Sequence, residues 1–218
     1  MIALARYSLS MLVRSQAYIA PILLFGAAIT VLTTGDAGPL AETYSACALV
    51  LFLCMTWLTV VLINTEDRTQ RAMTATAAGG ETRVLAGNVL AAAFIAVLLT
   101  LAGLIYPLYA GRHPITGAGL AVGVIAQLTA GLAGIAVGLL CSRLLIRRAG
   151  VAVLVAVGAV GAMVLLRAVP PVGPMMVLLG SEAAPETMLT PLSGLGAIAV
   201  LMVAAAAATV YYVGRRQE

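Results

Sequence analysis

Apolar residues in this chain come in long unbroken runs, with little alternation between apolar and polar positions. About 20 residues of helix, rising 1.5 Å each, cover the ~30 Å hydrocarbon layer of a bilayer. Six runs approach that length: about 17–34, 45–63, 84–106, 121–141, 149–166 and 194–213. None has a charged residue in its middle, where one would cost ~2.5–3.5 kcal/mol of insertion free energy. Period-two alternation is missing, so a strand barrel has no support and the runs read as helices. The expected fold is an all-α integral membrane protein, with one transmembrane domain of six helices over residues 1–218. On the fourth run, Gly119/Gly123 and Gly134/Gly138 have the G-x-x-x-G spacing that lets helix backbones approach closely.

Composition points the same way. Of 218 residues, 62% are hydrophobic and 9% charged, against about 25% charged in a soluble domain. That much apolar surface cannot be hidden inside a soluble fold of this size. All 12 cations are Arg. Without Lys, a GxxxxGK[ST] phosphate-binding loop and Schiff-base or pyridoxal chemistry are excluded.

The Arg residues set an orientation. Arg6, Arg14, Arg68, Arg71, Arg83, Arg143, Arg147, Arg148, Arg215 and Arg216 fall on one side of the runs, and Arg112 and Arg167 on the other with Asp36, Glu42, Glu182 and Glu186. The positive-inside rule places both termini in the cytoplasm. A cleaved signal peptide is not expected, because the first run is too long and no A-x-A site follows.

Three segments outside the runs carry pattern. In 1–16, Arg6, Ser10 and Arg14 stack opposite Ile2, Ala5, Leu9 and Leu12, which reads as an amphipathic helix in the membrane interface or as a tail whose Arg residues set topology. Residues 64–83, NTEDRTQRAMTATAAGGETR, hold the longest polar stretch. Glu66 and Asp67 suit a helix start and Gly79-Gly80 a stop, so a cytoplasmic helix of about ten residues is expected, with a solvated loop as the alternative. Residues 169–191, VPPVGPMMVLLGSEAAPETMLTP, can start a short helix at Pro174 and end it at Gly180. That stretch is too short to span, and reads as an outer re-entrant hairpin or a plain loop.

Little here points to catalysis or to metal binding. His113 is the only His and sits in an outer loop beside Pro114. Cys47 and Cys54 are seven residues apart on one helix, ~10 Å between Cα atoms, beyond disulfide reach. With Cys141 they read as small core residues. No carboxylate or His lies within a run to act as an ion relay. The polar groups inside are neutral: Thr56, Thr59, Asn64, Thr100, Gln127 and Thr129, with Trp57 well inside the second run. Thr56, Trp57, Thr59, Gln127 and Thr129 either line a substrate path or serve helix contacts. An energy source is expected in another chain, since the longest cytoplasmic segment has about 20 residues and a lone domain needs ~40–50.

The layout, carried by ARYSLSMLVRSQAYIAPILLF, NTEDRTQRAMTATAAGGETRVLAGNVLAA and PPVGPMMVLLG, resembles a membrane permease subunit of the type-2 ATP-binding-cassette (ABC) exporter family. The resemblance implies a bacterial plasma-membrane subunit driven by two copies of a separate ATPase, which would bind the ATP and Mg; this chain would hold no cofactor or metal. It also implies a second permease chain, identical or homologous, and an amphipathic or hydrophobic cargo such as an antibiotic, peptide or lipid-linked molecule. The loop between the second and third runs would be the coupling helix, with Glu66, Asp67, Arg68, Arg71, Met73, Glu81 and Arg83 at the ATPase. Export direction follows from the resemblance alone, and nucleic acid is not an expected partner. The alternatives are the substrate-capturing component of a vitamin importer and a non-transporting membrane anchor or regulator. A CDP-alcohol phosphotransferase would need several metal-holding Asp at the cytoplasmic face, where Asp67 is the only Asp.

Overall fold

The computed structural model describes residues 1–34, 38–111, 115–143, 145, 149–166, 168–181 and 183–215, with backbone alone at 68, 149, 150, 153, 214 and 215. Expectations for Asp36, Arg112, His113, Arg147, Arg148, Arg167, Glu182 and Arg216 lie outside the described residues. The described secondary structure is helical: α1 (Ile2–Ser15), α2 (Ile19–Thr33), α3 (Leu40–Asn64), α4 (Arg68–Ala78), α5 (Glu81–Ala110), α6 (Gly117–Leu140), α7 (Ala149–Leu165), α8 (Val172–Leu179) and α9 (Pro185–Arg215).

Four helices are long and apolar enough to cross a membrane: α3, α5, α6 and the Pro185–Val213 part of α9. The bent pair α1 and α2 passes only when taken together, across an 84° break. The structure therefore holds four to five candidate spans where the sequence suggests six. The shortfall is in length. α2 has 15 residues and α7 has 17, or about 22 and 25 Å of helix. At the break Gln16 takes the left-handed conformation, φ 56°, and its N–H bonds the Val13 carbonyl. That cap ends α1 and uses up the first residues of the run. At the other end of the chain, α9 starts at Pro185, well before the apolar run at 194. Proline suits a first helical position and Glu186 suits the positive end of the helix.

The core is built around α6, whose Gly and Ala residues let its neighbours come close. A Cβ at Gly134 would lie 2.8 Å from both the Phe52 carbonyl oxygen and Met55 Cβ. One at Gly138 would lie 2.6 Å from Thr59 Cβ and 2.9 Å from the Thr56 carbonyl oxygen. At Gly123 the ring of Tyr44 takes the space a Cβ would need. These glycines let α3 lie backbone to backbone on α6, the close approach that G-x-x-x-G spacing allows. Cys47, Cys54, Leu51, Met55 and Ile135 fill one core region, while Val122, Ala126, Ala130, Met175 and Leu192 fill another.

The bundle has two distinct ends. At one, the Arg143 backbone N–H donates to Asn64 Oδ1 over 3.0 Å, joining the end of α6 to the end of α3. α1, α4, the start of α5 and Tyr211 of α9 lie at this same end. At the other, α8 packs on the start of α3, with the Ser45 hydroxyl 3.1 Å from Met176 Sδ.

Candidate functional site

The polar connection between α3 and α5 forms a mount at one end of the bundle. α4 begins as the Arg71 N–H bonds the Asp67 carbonyl at 2.9 Å. It stops where Gly79 and Gly80 take φ 78° and 133°. The Gly80 N–H reaches the Ala75 carbonyl at 2.8 Å and the Gly79 N–H reaches Thr76 at 3.3 Å. This is the paired closure that left-handed glycine allows. Arg83 then donates to the Ala78 carbonyl at 2.9 Å, placing a cation at the negative end of α4.

Two contacts fix the helix to the rest of the molecule. Gln70 Nε2 donates to the Tyr7 hydroxyl at 3.1 Å, linking α4 to α1. Arg71 Nε lies 4.0 Å from Glu81 Oε1, linking α4 to α5. α1 is itself held on α5: the Ser8 hydroxyl donates to Asn88 Oδ1 at 2.6 Å, both side chains buried. Beside this bond Leu4 fills the space above Gly87.

One face of α4 remains open. Thr69, Ala72, Met73, Thr76 and Ala77 are exposed at i, i+3, i+4, i+7 and i+8, the spacing of one helical face. Met73, 62% exposed, is the large apolar group in this stripe. A cleft of ≈ 620 Å³ runs alongside, lined by Ala72, Ala75, Thr76, Gly79, Glu81 and Tyr211.

The residues expected at the ATPase divide by direction. Arg71 is 11% exposed and pairs inward with Glu81. Glu66 is half-buried, its Oε1 receiving the Thr74 hydroxyl at 3.4 Å. Glu66 Oε2 and Arg71 Nη1 are buried without a hydrogen-bond partner among the described residues. Asp67 and Arg83 are exposed, Arg83 folded onto the end of α4. The Arg68 side chain lies outside the described residues. Met73 thus faces outward, where Arg71 and Glu81 turn into the mount.

The polar residues inside the runs do not gather around one space. Thr56 and Thr59 sit in the α3–α6 contact, where the Thr56 hydroxyl donates to the Phe52 carbonyl at 2.9 Å. Trp57 lies on the outer surface of α3, 45% exposed. Gln127 lies against Gly103 of α5, and Thr129 against Gly196 of α9. Thr59 Oγ1, Thr100 Oγ1, Thr129 Oγ1 and both amide atoms of Gln127 are buried without hydrogen-bond partners among the described residues. A buried polar group that finds no partner costs about 1–3 kcal/mol, and a helical Thr hydroxyl can avoid that cost by turning to the carbonyl four residues back. Cys47, Cys54 and Cys141 are free and buried. Among the described residues no three His, Cys, Asp or Glu side chains converge to hold a metal.

Sequence reasoning missed Ser8, Asn88, Tyr7 and Gln70, the side chains that fix α1 and α4. Asn88 carried a usable signal, since an amide inside an apolar run must find a hydrogen-bond partner. The Tyr7–Gln70 pair is separated by 63 positions and left none. Comparison of the chain with protein-family models, with curated proteins and with solved structures returns no match.

Proposed function

We propose that the chain is the membrane permease subunit of an ATP-driven exporter of the type-2 ABC kind, with α4 as the seat of a separate ATPase. The observation that carries this reading is the open stripe of α4: small side chains around Met73, presented outward by a helix whose opposite face is bonded to α1 and α5. A short helix mounted rigidly at the end of a bundle passes a push on its outer face directly into α5. Small residues let a partner's groove close around it, and one exposed Met supplies an adaptable apolar anchor. The contact is therefore centred on Met73, Ala72 and Thr76, with Arg71 and Glu81 keeping the helix in place.

In this reading α2 and α7 cross the membrane as well, giving six spans with both termini in the cytoplasm. The Arg-rich connections support that orientation, since α1 and α4 share one end of the bundle with Arg143. α1 lies in the interface with Arg6 and Arg14 toward the headgroups, both exposed. A second permease chain completes the translocation unit in the bacterial plasma membrane, and two ATPase copies bind ATP and Mg. Nucleotide-driven closure of the ATPases pushes the α4 helices and shifts the bundles as rigid bodies, opening a path for an amphipathic or hydrophobic cargo.

The test is purification of tagged chain from native membranes, followed by assay of the eluate for a P-loop ATPase and for ATP hydrolysis. Wild type should bring the ATPase with it, and Met73→Glu should lose most of it while the tagged chain itself is recovered in the same amount. Passive solute movement by the isolated chain in vesicles, with no ATPase bound in membranes, would refute the assignment.

A further inference from the structure

α6 packs most extensively on α3 and α9 and more lightly on α5, and its α3 and α5 contacts are built differently. The α3 side is closed by backbone: Gly134 and Gly138 bring Phe52, Thr56 and Thr59 as near as atoms allow. The α5 side is closed at two levels by side chains. Gly131 receives Ala96 Cβ at 3.3 Å from its own Cβ position, and Gly103 receives the Gln127 amide. Thr100 lies between Ala96 and Gly103 on the same face of α5, so these two contacts bracket it.

Within that bracket the polar groups are trapped. Gln127 is 0% exposed, and neither its Nε2 nor its Oε1 has a hydrogen-bond partner. Thr100 Oγ1 is in the same condition. Rotation of its hydroxyl toward the preceding turn would satisfy Thr100, as it does Thr56. The Gln127 amide instead lies against Gly103 of α5, fully buried, with neither of its polar atoms bonded among the described residues. A neutral amide packed dry in apolar surroundings favours any arrangement that supplies it with partners.

We propose that the α5–α6 contact is a separable seam. In a second arrangement α5 withdraws from α6 at this level and opens a water-accessible groove lined by the Gln127 amide and the Thr100 hydroxyl. The groove offers neutral donors and acceptors and no charge, so it takes water and the hydroxyl or amide groups of an uncharged solute. The α3–α6 contact stays closed throughout, because its backbone packing has no trapped amide to release. This inference concerns the chain alone and stands whether or not an ATPase binds α4.

The experiment is thiol labelling in vesicles with a small water-soluble methanethiosulfonate, with Cys47, Cys54 and Cys141 replaced by Ala. Thr100→Cys should react about tenfold or more faster than Thr59→Cys, since labelling of a buried site follows how often it opens. Ala96→Cys, one turn away on the same face, gives the same comparison if Thr100→Cys does not fold. Gln127→Met keeps the length of the side chain and removes the amide. It should slow labelling at position 100 and raise the unfolding midpoint by about 2–4 °C. Equal, slow labelling at 100 and 59 would overturn the proposal. Fast labelling at 100 that Gln127→Met leaves unchanged would also overturn it, because the amide would then not be what opens the seam.

Discussion

The α3–α6 contact gives a quantitative test of how this protein is held together. Gly134→Ala adds a single carbon. In the native arrangement it would sit 2.8 Å from Met55 Cβ, 2.8 Å from the Phe52 carbonyl oxygen and 3.0 Å from the Thr56 nitrogen. Two of these three atoms are backbone of α3, so no side chain can rotate away. Carbon atoms meet best at about 3.5 Å or beyond, and the helices must part by roughly 0.7 Å. Such overpacking costs about 1–3 kcal/mol, while replacing a helical glycine by alanine returns about 1 kcal/mol of backbone entropy. The net expectation for Gly134→Ala is a loss of about 1 kcal/mol. Gly158→Ala on α7 provides the control, because a Cβ there meets nothing within 4 Å. It should gain about 1 kcal/mol, leaving the two variants separated by about 2 kcal/mol. Gly138→Ala clashes along the same seam, at 2.6 Å from Thr59 Cβ. One separation of α3 from α6 relieves both clashes, so the double variant should lose less than the sum of the single losses. The assay is equilibrium unfolding in mixed micelles, followed by fluorescence of Trp57, the only Trp, on α3 itself. Agreement of Gly134→Ala with Gly158→Ala to within about 0.4 kcal/mol would mean that the close approach does not set stability.

Two further outcomes follow from the mount. Asn88→Ala removes the acceptor of the buried 2.6 Å bond from Ser8. It should cost about 1–2 kcal/mol and speed amide exchange in α1 while leaving α3 unchanged; uniform exchange across the chain would contradict a local role. Gly79→Ala places a Cβ at φ 78° and 2.7 Å from Arg83 Nη1. The left-handed conformation should cost about 1–2 kcal/mol, fray the end of α4, and show as faster protease cleavage near 79–80. A cleavage rate equal to wild type would remove the glycine closure from the account.

Much of the architecture was legible along the chain, because lipid imposes its demands on local sequence. A segment that cannot bond its backbone to water must bond it within itself, so apolar runs become helices whatever they pack against. The same locality made Gly79-Gly80 readable as a stop and Gly134/Gly138 as a close approach. α2 and α7 come from the two shortest apolar runs, and as helices of 15 and 17 residues they are shorter than the 24 to 31 residues of α3, α5, α6 and α9.

Direction and pairing were decided only in three dimensions. The sequence shows that Arg71, Met73 and Glu81 share one polar stretch; it does not show that Arg71 turns in and Met73 out, since α5 and α1 choose which side of α4 is covered. Thr56 and Trp57 are neighbours in sequence, but one is sealed against α6 and the other faces outward. Gln127 was visible as a neutral polar residue in an apolar run, and only its position over Gly103 shows an amide without partners. Helix formation depends on residues within a few positions of one another, and the sequence alone determines it. Which face is buried, and whether a buried dipole is satisfied, depends on side chains brought together from distant parts of the chain.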